Sequence, residues 1–130
     1  MTTTPGGFGL TRIGQIAVNV KDLSRATRFY RETLGMRFLF EVPGMAFFDC
    51  AGLRLMLAVP EKPEFDHQAS ILYYQVEEIR AAHEILVGKG VEFIEPPRLV
   101  APLPHADLWM AFFRDSEGNP LALMSEVRRA

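Results

Sequence analysis

The sequence predicts an α+β fold: two tandem βαβββ modules whose strands form one curved, eight-stranded mixed sheet, a cup with both helices on its outer face. Three observations lead there. Stretch 13–38 recurs at 71–93. Setting Ile16 on Leu72 places Val20 on Val76, Asp22 on Glu78, Leu23 on Ile79, Ala26 on Ala82 and Tyr30 on Leu86, all at a spacing of 56, and periods of this size mark a repeated supersecondary unit. Each copy opens with apolar residues at alternate positions and continues with apolar residues every three or four, strand and then helix. Finally, a four-stranded sheet carrying one helix covers only one of its faces, so two such units must combine to bury the other. With 130 residues, 48% of them hydrophobic, the chain suffices for one compact core and is too short for two ordinary independent domains.

The Thr-, Gly- and Pro-rich start, 1–9, reads as a mobile tail. One domain follows at 10–127, with modules at 10–58 and 71–127 and a linker at 59–70. In 13–20, Ile16, Val18 and Val20 share one face and Gln15, Ala17 and Asn19 the other, a strand with one apolar and one mixed side. Asp22 can accept from the free amides of a first helical turn; Leu23, Ala26, Phe29, Tyr30 and Leu34 recur at helical spacing until Gly35, which gives a helix of about 11 residues. Strands at 36–40 and 45–50 flank the turn Val42-Pro43-Gly44, and Asp49-Cys50-Ala51-Gly52 returns the chain into a strand at 53–58.

The second module repeats this order: strand 71–76, helix 78–87, strands 91–95 and 108–114, a turn at 115–119, and strand 120–126. One connection differs. Where the first module uses 41–44, the second uses 96–107 with Pro96, Pro97, Pro102 and Pro104. A long structureless connection is usually functional, and proline reduces the entropy lost when it orders. The expectation is a loop covering a cavity mouth.

A net charge of −2, with 14 basic residues scattered among 16 acidic ones, leaves no electrostatic footprint for nucleic acid or an anionic membrane. No apolar run approaches the roughly 20 residues of a membrane span, and 1–9 lacks the features of a signal peptide. The single cysteine, Cys50, forms no internal disulfide and fits a reducing, cytoplasmic setting. Its turn holds no His or Lys to activate the thiol. Small molecules and a second copy of the chain are the expected partners, with neither nucleic acid nor membrane.

The first strand followed by Asp22-Leu23-x-x-Ala26-x-x-Phe29-Tyr30-x-x-x-Leu34-Gly35, together with Asp115-x-Glu117-Gly118-Asn119 near the end, resembles the glyoxalase/bleomycin-resistance/extradiol-dioxygenase superfamily, or vicinal oxygen chelate fold, over about 10–127. Neither piece specifies one reaction. The resemblance implies dimers with cups at or near the subunit interface, hence a homodimer. It also implies that metal-using members take one ligand from the first and last strand of each module. Those places hold Gln15 and Ile71, repeat mates, and Met56 and Ala122, likewise mates. Hard divalent ions want oxygen donors, and softer ones take imidazole. One amide, one thioether and two hydrocarbons leave an ion short, so no cofactor is expected, a divalent metal being the alternative.

Among the histidines, His83 reads as a solvated helix residue and His67 as part of an exposed turn. His105, beside Asp107 and Trp109, either meets a ligand as donor or base or decorates the surface. Arg54 shares the inward face of Met56 and serves either as a ligand handle or as an ion-pair partner of Asp49. The candidate ligand-binding set is Gln15, Arg54, Met56, Ile71, Tyr73, His105, Trp109 and Ala122, with no catalytic residue assigned. These side chains form a mostly apolar lining with sparse polar groups, or else they fill the interior. The expected function is binding of a small, largely apolar organic molecule, as in the bleomycin-resistance branch. The alternative is a metal-dependent lyase, isomerase or dioxygenase built on Gln15 and an unorthodox site.

Overall fold

The computed structural model describes residues 8–68 and 70–129. Of the tail expected at 1–9, residues 1–7 lie outside the described residues, and Phe8 is exposed. Each module has the predicted order: β1 (Gln15–Asn19), α1 (Leu23–Arg28), β2 (Arg37–Val42), β3 (Met45–Cys50) and β4 (Leu53–Ala58), then β5 (Leu72–Gln75), α2 (Ile79–Gly88), β6 (Phe93–Pro102), β7 (Ala106–Arg114) and β8 (Pro120–Arg128). The eight strands do not hydrogen bond as one sheet. They form two four-stranded sheets, ordered β1-β4-β3-β2 and β5-β8-β7-β6, each with a parallel pair at one edge and antiparallel pairs elsewhere.

Local chemistry accounts for the first module. Asp22 accepts from the Arg25 amide at 3.0 Å and so caps α1. A π-helical turn, Phe29–Thr33, continues α1 to Gly35, which takes a positive φ of 71°. The β3–β4 hairpin turns on Ala51 and Gly52, at φ 51° and 91°, the primed geometry that follows sheet twist. Asp49 Oδ1 steadies this turn by accepting from the Gly52 amide at 3.1 Å.

Alternation sorts the two faces as read from sequence. Val18, Leu55 and Leu121 are buried and Tyr74 packs against them, on the sides of the sheets that meet the helices. Tyr30, Phe48, Phe113 and Leu57 are fully buried in the same cluster, each worth about 1.5–3 kcal/mol of apolar transfer. This core includes residues of both modules. Glu78 precedes α2 without a side-chain cap, and His83, expected in solvent, lies half-buried with its ring 4.4 Å from that of Phe93.

The expected loop at 96–107 is instead an extended hairpin. β6 continues through Pro102, and β7 starts at Ala106. The prolines are tolerated because β6 is an edge strand and its pairing with β7 shifts register between Glu95 and Arg98 and again between Leu99 and Ala101. A residue without an amide hydrogen fits where no partner waits for it.

Candidate functional site

The face of the first sheet turned away from α1 brings three sequence-identified residues together. In the parallel β1–β4 register Gln15 lies beside Arg54, Ala17 beside Met56 and Asn19 beside Ala58. Arg54 Nε donates to Gln15 Oε1 at 2.8 Å, and the Gln15 amide donates onward to Met56 Sδ at 3.6 Å. The guanidinium lies 5.4 Å from the centre of the Phe47 ring, which stacks on Phe40. Arg54 is exposed, and Asp49, its register neighbour on β3, forms no ion pair with it within 4 Å.

Beside this chain of contacts is a cavity of about 570 Å³ lined by Ala17, Met45, Met56, Ala58, Phe65 and His67. Its cover is the linker and not the 96–107 hairpin. Asn19 fixes that cover: its Nδ2 donates to the Phe65 carbonyl at 2.6 Å and the His67 carbonyl at 2.9 Å. Asn19 is not among the candidate ligand-binding residues. Its signal was present, since it shares the alternating face of Gln15 and carries an amide, but its partners are 46 and 48 residues away. Pairing at that range is invisible to local pattern.

The other candidates fall elsewhere. Tyr73 and Ala122 pair on the second sheet, where Tyr73 is half exposed and packs edge-on against Phe112 at 5.9 Å, while Ala122 is fully buried. Ile71 precedes β5 and is exposed. His105 sits in the β6–β7 turn, 3.9 Å from Glu126, with 71% of its side chain exposed. Trp109 lies on the helix-facing side, packed against the core with Arg80 of α2 5.1 Å above its ring. Met110 and Phe112, on either side of Ala111, take the opposite face by alternation.

The donor set at Gln15, Met56, Ile71 and Ala122, where the resemblance puts the ligands of metal-using members, does not fit a hard divalent ion. Gln15 Oε1 already accepts from a guanidinium, whose positive charge would repel a cation, and Met56 Sδ already accepts from Gln15. Ile71 and Ala122 offer no donor atom. Among the described residues, no group of three or more His, Cys, Asp or Glu stands close enough to hold a metal ion.

A second polar constellation joins the modules. Asp115, buried, accepts from the Tyr30 hydroxyl at 2.7 Å, the Glu117 and Asn119 amides at 2.8 and 2.9 Å, and Asn119 Nδ2 at 3.0 Å. Glu117 Oε1 accepts from the Lys21 and Asp22 amides at the start of α1, while Oε2 accepts from Arg25 Nε at 2.9 Å. Burial pushes the Glu117 carboxyl up, but the Lys21 amide, the Arg25 side chain and the Asp22 amide outweigh it and hold the group below its usual range. Burial foremost, with the Asp115 charge behind it, pushes the Tyr30 phenol well up, so it stays a donor. The Asp115-x-Glu117-Gly118-Asn119 turn is thus the clasp between the halves.

The description Glyoxalase/Bleomycin resistance protein/Dioxygenase superfamily matches residues 12–123. Solved structures share the fold. A superfamily member from Sphaerobacter thermophilus superposes with a TM-score of 0.74 at 22% identity, covering 90% of this chain and 98% of that one. The lactoylglutathione lyase of Agrobacterium tumefaciens gives 0.74 at 18% identity, covering 90% and 95%. A glyoxalase/bleomycin resistance protein/dioxygenase from Nocardioides gives 0.71 at 22%, covering 97% and 90%.

Proposed function

The chain belongs to the glyoxalase/bleomycin resistance protein/dioxygenase superfamily, and from that premise we propose that it binds a small, largely apolar organic molecule, without a metal, on the cup face of its first sheet. The carrying observation is the cavity of about 570 Å³ under the linker. Its volume falls among those of small-molecule sites, and its lining combines Met and Phe side chains with a few polar groups, as such sites do. Affinity then comes chiefly from apolar burial, on the order of 25 cal/mol per Å². Gln15 and Arg54, linked to the cavity through Met56, provide direction.

The single thiol and scattered charge suit a cytoplasmic protein. The unpaired β2 edge, with Leu39, Phe40 and Val42 exposed, suits a homodimer whose partner covers it.

Thermal stability measured against a library of small aromatic and aliphatic compounds tests the function. Stabilising compounds should lose their effect in Met56→Glu while that variant stays folded, and chelator should change nothing. Protein purified without chelator that carries stoichiometric Ni, Co, Mn, Zn or Fe, released by Gln15→Ala, would sink the metal-free reading in favour of a metal-dependent lyase, isomerase or dioxygenase.

A further inference from the structure

Resting on the proposed binding at the first sheet, we infer that the ligand carries a carboxylate, received end-on by Arg54. Three features of Arg54 converge on this. Its Nε is taken by a neutral acceptor, Gln15 Oε1 at 2.8 Å, which orients the guanidinium without neutralising it. One face of the group rests 5.4 Å from the Phe47 ring centre, so stacking limits its rotation. No carboxylate among the described residues lies within 4 Å of it, so its charge is left without an acidic partner. Asp49, the acid placed to neutralise it, turns its Oδ1 to the Gly52 amide instead.

With Nε engaged, the edge left free is the pair of terminal nitrogens, a fork that matches the two oxygens of a planar carboxylate. The cavity adjoins this group through a single residue, Met56. Gln15 also donates to Met56 Sδ, and Met56 lines the cavity with Ala17, Met45 and Phe65. The ligand class is therefore a carboxylic acid with an aryl or alkyl body, its charged end at Arg54 and its body under the linker. Gln15 is a positioning residue, acting on the ligand through the orientation of Arg54.

Matched probes test this. The dissociation constants of 4-phenylbutyrate and 4-phenylbutyramide, and of 2-naphthoate and 2-naphthamide, are to be measured by methyl NMR titration with labelled methionine at low and high salt, on the wild-type protein and on Arg54→Gln. Each acid should bind about tenfold more tightly than its amide at low salt, the scale of one charge-assisted contact. The preference should shrink with added salt and vanish in Arg54→Gln, where acid and amide should bind alike. Equal affinities within a pair, or a preference that survives Arg54→Gln, overturn the carboxylate inference and leave the cup reading standing. No saturable shift at Met45 or Met56 from any of the four probes overturns the cup reading, and this inference with it.

Discussion

Two tyrosines whose hydroxyls are buried, but with opposite hydrogen-bonding, show how one atom changes what a residue contributes. Tyr30 gives its hydroxyl to buried Asp115, while the Tyr74 hydroxyl is buried with no partner. Removing the first leaves Asp115 short of a donor, so Tyr30→Phe should lower stability by about 1–3 kcal/mol. Removing the second deletes an unsatisfied polar atom and keeps the ring, so Tyr74→Phe should be neutral or stabilising by about 1 kcal/mol. Denaturant melts of both variants check this, and equal losses would refute it. Glu117 gives a pH signature. Its carboxyl is held below its unfolded value of roughly 4.3 by the Lys21 amide and Arg25, which prevail over burial. The stability it adds is thus present above that value and is lost as pH falls through the lower folded one. Glu117→Gln should be less stable than wild type at neutral pH and should fall less steeply as pH drops below the unfolded value of roughly 4.3, read from denaturant midpoints across the acid range.

At the scale of elements, the linker is held on the first sheet by one side chain. Asn19 bonds to two linker carbonyls, so Asn19→Ala removes two contacts of about 1 kcal/mol each. Amide exchange in 61–68 should speed up, compound-induced stabilisation should weaken, and the rest of β1 should keep its protection. Unchanged exchange there would show that packing of Phe65 alone holds the cover. The β6–β7 hairpin makes the complementary point. Sequence pattern marked its prolines as loop because proline is rare within strands, but the rule concerns unpaired amides, and on a bulged edge strand there is nothing to leave unpaired.

For the whole molecule, the modules are joined by the clasp at 115–119 and by a core that both share. This settles contacts within the chain and leaves the β2 and β6 edges free. Leu39, Phe40 and Val42 on one edge, with Ile94, Leu99 and Val100 on the other, are exposed. Uncovered strands of this kind favour pairing with another chain. Sedimentation velocity at micromolar concentration should show a dimer; a single species of 14.7 kDa would rule it out.

The sequence by itself determined the repeat, the order of every strand and helix, the Asp22 cap, and the face on which Gln15, Arg54 and Met56 lie. All of these are written in periodicity and short-range chemistry, where a side chain's neighbour is a few residues away. It placed Trp109 with the inner-face candidates, although alternation along β7 from Ala106 puts it with Ala111 and Phe113 beneath α2, because the start of that strand was obscured by the prolines. Only the tertiary structure decided that the strands divide into two sheets, that the linker rather than the hairpin covers the cavity, and that Arg54 answers to Gln15 and not Asp49. Each of those depends on which of several compatible partners lies nearest in space. That choice is made by packing between segments tens of residues apart, which no local pattern records.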